Sequence, residues 1–355
     1  MTRHASSRVP RPSTLPTAAG HPHPALPGGT RASPIGFAAD ALRRARGDSI
    51  VRVVLPAPLV SLDALLELLP GDDGFVWESP AGDLIAGGGI AWSCEPAGRA
   101  RLASARSAAG ALWPRLRDHV HPEAAAPPAR LFAGFAFAPA AACAPPWTGF
   151  GDGLLALPRW SYGRTGEHAY LALSVAGAAG PWTARLESLL AALEAGAAGK
   201  PDLPPLLSIE EGNPAAWMEN VAAIRRAIVA GRCDKIVSAR AARLGFAAPP
   251  SASAVLRRLA AAYPDCTRFA VRRAGGVFLG ATPESLLSVR AGWVTSEAVA
   301  GSRAIDRHGA GPAAAAVALL ASDKDRGEHD LVVQAIAAAL APHCDRLEVA
   351  AEPLT

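Results

Sequence analysis

Three polar clusters in the second half of the chain carry residue types able to do acid, base or metal chemistry. The first is Cys233-Asp234-Lys235-Ile236-Val237-Ser238-Ala239-Arg240, which follows a helical stretch and reads as a strand. Alternation puts Lys235, Val237 and Ala239 on one face. A lysine among apolar neighbours is either solvated at an edge or desolvated, and desolvation lowers its pKa into the range of a working base. Of 35 basic residues only three are lysines, Lys200, Lys235 and Lys324. Arginine stays protonated at any working pH, so a position that keeps lysine is a candidate for proton transfer. The second cluster is Phe278-Leu279-Gly280-Ala281-Thr282-Pro283-Glu284, an apolar strand running into a tight turn that presents a carboxylate. Taken alone, Thr282-Pro283 is also an ordinary helix start. The third is Ser322-Asp323-Lys324-Asp325-Arg326-Gly327-Glu328-His329. On a helix Asp325 and Glu328 share a face, a pairing suited to Mg²⁺, which takes oxygen ligands. The plain alternative is a solvated face with a Lys324–Glu328 pair at four-residue spacing.

The elements that must position these clusters alternate between strand and helix. Residues 1–38 hold seven prolines and no acid, with Arg3, Arg8, Arg11 and Arg31; they read as a disordered tail. Ile50–Leu55, Phe75–Pro80, Leu84–Trp92, Arg130–Phe137, Gly153–Tyr162 and His168–Val175 read as strands, with helices over Leu62–Leu69, Arg99–Trp113 and Pro181–Ala197. Gly87-Gly88-Gly89 reads as a bulge or a close strand approach. A Pro-rich linker ends at Pro205, which separates a β-rich half (39–205) from a second region (206–355). That region opens with a helix capped by Asn213, with Pro214 at its first position and Gly231 at its end. Trp217, Val221, Ile224 and Ile228 form its apolar face. Strands at Lys235–Arg240, Phe269–Arg273, Val277–Leu279, Leu286–Val289 and Trp293–Thr295 follow, with a helix over Pro250–Tyr263 and two Ala-rich helices over 311–321 and 326–341. The expected class is α+β, with large antiparallel or mixed sheets flanked by helices.

Composition narrows the function. Half of the residues are hydrophobic, which excludes bulk disorder. No run of 18 apolar residues occurs, so no membrane span is expected. The formal charge of +4 comes from the four tail arginines, and the neutral body lacks the basic stripe of a nucleic-acid binder. Five scattered cysteines without metal-ligand spacing read as reduced thiols of a cytoplasmic protein.

In combination the clusters resemble the chorismate-utilising enzymes, and among them the isochorismate synthases. Lys235-Ile236-Val237-Ser238-Ala239-Arg240 is similar to the K-V-V-L-[AS]-R strand, Phe278–Glu284 to F-[LV]-G-A-[TS]-P-E, and Glu297–Arg303 to E-A-[LIV]-A-G-[TS]-R. Ser322–Val333 is similar to S-x-K-D-x-x-E-H-x-x-V-V. In the first half Phe75–Pro80 with Gly87–Ala91 resembles W-E-S-P…G-x-G-x-A, and Arg130–Phe137 with Trp147–Phe150 resembles R-L-F-G-G-F-A-F…W-x-G-F. Each motif alone is weak; their shared order over about residues 50–355 is specific.

The resemblance implies that chorismate is converted to isochorismate by addition of water at C2 and loss of the C4 hydroxyl. It implies Lys235 as the base for the water and Glu284 as the acid for the leaving hydroxyl. Glu328 would bind Mg²⁺ with help from Asp325, and Ala300, Gly301 and Ser302 would line the ring pocket. Anthranilate synthases resemble the pattern but carry Gln where Lys235 stands, which favours water here. Salicylate synthases share the lysine and are the alternative activity. Aminodeoxychorismate synthases place a lysine where Ala300 stands. Glu297 resembles the menaquinone-pathway members and Ser302 the siderophore members. Two departures stand out. Ser238 replaces a usual Leu, and the family's further C-terminal segment, with a second metal-binding Glu and a substrate-gripping Arg, is not matched. The expectation is therefore a C-terminally truncated form of the fold, either derived from an active enzyme or kept as a non-catalytic, partner-binding remnant.

Overall fold

The structure is a computed structural model that describes residues 2–8 and 33–350, apart from 45–46, 69–72, 143, 178–179, 197–198, 200–201 and 306–310. Lys200 lies outside the described residues. Two compact units form from discontinuous stretches: 26–205 with 246–282, and 1–25 with 206–245 and 283–355. We call them the sheet unit and the site unit.

The strands are β1 (Thr2–Arg8), β2 (Ile50–Pro56), β3 (Gly74–Glu78), β4 (Leu84–Cys94), β5 (Leu116–Val120), β6 (Phe132–Phe135), β7 (Gly153–Thr165) and β8 (His168–Ala176), then β9 (Leu206–Glu210), β10 (Arg243–Phe246), β11 (Thr267–Arg273), β12 (Gly276–Thr282), β13 (Ser288–Arg290), β14 (Trp293–Val299) and β15 (Arg346–Val349). The helices are α1 (Pro34–Arg43), α2 (Leu62–Glu67), α3 (Arg101–Leu112), α4 (Trp182–Ala195), α5 (Pro214–Val229), α6 (Ala252–Ala262), α7 (Gly311–Leu320) and α8 (Asp323–Leu340). The expected α+β class holds.

The sheet unit is one nine-stranded sheet of order β12-β11-β3-β4-β7-β8-β2-β5, with β6 also paired to β7. All its pairings are antiparallel except β2 with β5. β8 and β2 are buried on both faces, as their near-continuous apolar runs require. The core gathers Val53, Leu55, Leu65, Tyr162, Leu171, Leu173, Leu186 and Leu256 from β2, α2, β7, β8, α4 and α6. The expected glycine bulge is present. The β4–β7 register shifts between Ile90 and Trp92, and Gly89 has φ +61°. A Cβ at Gly87 would stand 2.7 Å from the Phe75 ring and 2.9 Å from the Trp160 carbonyl. Glu78, from the Trp-Glu-Ser-Pro segment, is a structural hub. Its carboxylate accepts from Arg268 at 2.6 Å and Arg164 at 3.4 Å, joining β3 to β11 and to β7. One sheet face also opens on a cavity of about 710 Å³ walled by Phe75, Trp77, Phe132, Phe150, Phe269 and Phe278.

The site unit holds a four-stranded sheet of order β13-β14-β1-β15 and the β9–β10 pair. β14 alternates cleanly, burying Val294, Ser296 and Ala298. α5 starts as expected, with Asn213 Oδ1 accepting from the Ala215 amide at 2.9 Å.

Three expectations need correction. Residues 235–240 are not a strand; the segment is irregular, with Val237 80% exposed. An apolar alternating run becomes a strand only where a neighbour meets its hydrogen bonds, and among the described elements none does. The chain does pass from one unit to the other at 205/206, but the second region is not continuous: α6 and the β11–β12 hairpin return to the sheet unit, because β11 finds its partner in β3, from Arg268 opposite Glu78 to Arg272 opposite Gly74. Within 1–38, expected to be disordered, β1 pairs antiparallel with both β14 and β15, and α1 begins at Pro34 with Ser33 accepting from the Gly36 amide. Backbone pairing and a Ser-Pro helix start override a Pro-rich average; residues 9–32 lie outside the described residues.

Candidate functional site

All seven expected site residues fall in the site unit. α8 places two of them. Ser322 caps it by accepting from the Asp325 amide at 3.3 Å, and the helix begins early enough to carry both Asp325 and Glu328 three residues apart. That satisfies the condition on which their shared face depended.

The irregular segment 235–240 brings Lys235 to the same helix. Lys235 Nζ lies 3.7 Å from Glu328 Oε2, and Lys324 Nζ lies 3.1 Å from Glu328 Oε1. One carboxylate is thus held between two ammonium groups. The helix-face pair offered as the plain alternative is present, and the long-range pair to Lys235 stands beside it. Lys324 also stands 3.9 Å from Asp325 Oδ1. The hydrogen bond to Glu328, then the charges of Glu328 and Asp325, push the Lys324 pKa up. The setting of Lys235 is an ion pair with a quarter-exposed side chain, not the apolar strand face expected of it. The segment is tethered by side chains: Asn220 Nδ2 donates to Ser238 Oγ at 3.4 Å, and Arg240 meets Glu211 at 3.6 Å. Ser238 therefore makes a polar contact with α5, which a Leu at that position would not.

Gly301 follows β14 with φ +81° and packs on α8; a Cβ there would sit 3.4 Å from Asp325 Cβ. The left-handed backbone is what favours glycine here, and the chain at this point lies in contact range of the carboxylate-bearing helix. Ala300 and Gly301 are partly buried and Ser302 is exposed. Glu284 is exposed in the irregular stretch 283–287, so no helix starts at Thr282-Pro283. Ser296 Oγ donates to the Leu286 carbonyl at 2.7 Å and ties that stretch to β14. The ion pairs of Lys235 and Glu328 do not include Glu284. His329 is 1% exposed, a core residue of the site unit.

The residue set suits a divalent cation in part. Asp325 and Glu328 are two partly exposed carboxylates on one helical turn. Mg²⁺ is commonly held by one or two carboxylates with substrate oxygens and water completing the shell. Among the described residues no group of three or more His, Cys, Asp or Glu side chains forms a ready cage. Such a site would rely on the ligand for the rest of its oxygens. No helix among the described residues is long and apolar enough to cross a membrane.

A family model described as chorismate binding enzyme matches residues 37–355, and the chain belongs to that family. The salicylate biosynthesis isochorismate synthase of Pseudomonas aeruginosa is 39% identical over 139 residues, which is 39% of this chain and 29% of that protein. Isochorismate synthase MenF of Bacillus subtilis is 28% identical over 228 residues, 61% of this chain and 47% of that protein. The matched stretches thus span less than half the length of these relatives. The structure of MenF, the menaquinone-specific isochorismate synthase from Escherichia coli, superimposes with TM-score 0.65 at 22% identity, covering 88% of this chain and 73% of that one. That likeness establishes the shared fold.

Proposed function

We propose that the chain is an isochorismate synthase, or the larger part of one, acting on chorismate in the cytoplasm. The observation that carries this reading is the meeting of Lys235 with Glu328 on the turn that also bears Asp325 and packs on Gly301. Lys235 would take a proton from the water that adds at C2. Glu284 would give a proton to the departing C4 hydroxyl, so that one water enters, one leaves and the double bonds shift. Gly301 and Ala300 would present backbone to the ring, with the Ser302 hydroxyl beside them. Asp325 and Glu328 would hold Mg²⁺, which supplies charge neutralisation for the substrate carboxylate. The carboxylate that pairs with the proposed base is then the same one that serves the cation, so the two functions are coupled through Glu328.

The test is incubation of the purified protein with chorismate and Mg²⁺, with products separated by chromatography. Isochorismate is the expected product. Lys235→Ala and Glu284→Gln should each lower turnover at least about 100-fold, the usual worth of a proton-transfer group. Salicylate with pyruvate would assign the alternative activity. Undiminished turnover in Lys235→Ala, or no product from a folded protein, would overturn the proposal.

A further inference from the structure

We propose that the sheet unit carries a second site, for a small oxyanion of the carboxylate or phosphate class, at the bulge of β4. A cleft of about 380 Å³ opens there between Gly88–Ile90, Asp73, Arg159 on β7 and Arg185 on α4. Its size is that of a small-molecule site.

Several partly buried arginines of this unit have counter-charges, and others, Arg101, Arg159 and Arg272, have none among the described residues. Arg52 meets Asp118, Arg164 and Arg268 meet Glu78, Arg257 meets Asp63, and Arg273 meets Glu95. Arg159 is also partly buried, yet among the described residues no carboxylate lies within ion-pairing distance of it. Its guanidinium makes one hydrogen bond, from Nη2 to the Ile90 carbonyl at 2.6 Å, and lies 5.0 Å over the Trp182 ring. Those two contacts fix its orientation while leaving most of its five N–H donors unused. Burial alone pushes its pKa down from the ordinary value. A partly desolvated guanidinium with no counter-charge in range is stabilised by a bound anion.

Arg185 adds a second guanidinium. It stands three residues after Trp182 on α4, on the same helical face. Among the described residues it too has no acidic partner. Among the described residues Asp73 is the one acid of the cleft, and their lining carries two positive charges against one negative. That balance favours a ligand with a single negative charge, held in the forked geometry that guanidinium groups offer to carboxylate and phosphate. The bulge shapes the floor. Gly89 takes φ +61°, and a Cβ there would come 3.1 Å from Arg159 Cβ, so the backbone can lie against the arginine only as glycine. This site lies wholly within the sheet unit, whereas the proposed catalytic residues belong to the site unit.

Isothermal titration calorimetry at low ionic strength tests the proposal, with inorganic phosphate and benzoate as separate probes. Saturable binding of one anion per chain is expected for at least one probe, and the probe that binds identifies the class. Arg185→Ala should weaken it about tenfold, the scale of one charge-assisted hydrogen bond. Asp73→Asn should tighten it several-fold by removing the like charge. Lys235→Ala should leave it unchanged, which separates it from any anion held in the site unit. Circular dichroism confirms that each variant is folded. No saturable heat with either probe, or an affinity indifferent to both Arg185→Ala and Asp73→Asn, would overturn the proposal.

Discussion

The sheet unit and the site unit use similar side chains to opposite ends. In the sheet unit apolar residues go inward: Leu55, Leu171, Leu173, Val175 and Leu186 are fully buried, and the buried charges of Arg52 and Asp63 pair with Asp118 and Arg257. In the site unit the same residue types stay in water. Leu207 is 70% exposed, Val229 89%, Val237 80% and Leu286 85%, and every residue of α5 is at least partly exposed. Among the described residues its buried set is short: Val294, Ser296, Ala298, Leu319 and His329. The difference teaches that the scaffold and the chemistry are held by different forces. A continuous core fixes the strands of one unit. Caps, a glycine contact and a few ion pairs place the charged residues of the other.

Four experiments would break or sharpen that contrast. The largest effect is expected at Glu78. Glu78→Ala strands Arg164 and Arg268 without their shared carboxylate, and loss of a buried ionic partner costs about 3–5 kcal/mol in denaturant unfolding. A loss under about 1 kcal/mol would demote Glu78 to a surface residue. Next comes a matched pair. Leu171→Ala in β8 should cost about 2–5 kcal/mol as a core cavity, while Val229→Ala at the end of α5 should stay within about 0.5 kcal/mol. Equal losses would erase the distinction between the units.

Tyr162→Phe is the third. The phenol accepts from the Val60 amide at 3.1 Å and donates to the Pro58 carbonyl at 3.0 Å. Its loss leaves a buried amide unpaired, at about 1–3 kcal/mol. Burial also pushes the Tyr162 pKa above its ordinary 10.0. The folded state therefore keeps this proton where the unfolded chain releases it, and stability falls as pH rises through 10 and beyond. Unfolding curves collected on both sides of that pH should show this loss in the wild type and less of it in Tyr162→Phe. The smallest effect is expected at Glu328. Glu328→Gln removes two partly exposed ion pairs and should change stability by no more than about 1 kcal/mol. The Lys324 pKa should fall toward its ordinary value, readable by NMR titration of the side-chain amine.

Much of the scaffold was legible in the sequence because its signals are local. The hairpin of β3 and β4, the Asn213 and Pro214 start of α5, the α4 helix after Pro181 and the glycine bulge all follow from periodicity, capping and backbone freedom within a few residues. The site was legible in its components: Asp325 and Glu328 share a turn because helical spacing demands it. The strand expected at Lys235–Arg240 failed because apolar alternation states only what a strand would bury. Whether a neighbour is present to pair with it is a long-range fact. The cut at 205/206 was legible, but the return of 246–282 to the sheet unit was not, since nothing near Thr267 announces that β11 will lie beside β3.

By itself, then, the sequence determined the class of fold, most helix starts, the motif order that marks the family and the identity of the charged residues. Tertiary structure alone decided that Lys235 meets Glu328 rather than an apolar strand face, that Glu78 ties three strands, and that Arg159 is partly buried with no carboxylate in ion-pairing range among the described residues. The physical reason is one of range. Capping and periodicity act over a single turn, where the chain itself brings the partners together. Pairing of charges far apart in sequence depends on where the backbone returns, and only the folded chain contains that information.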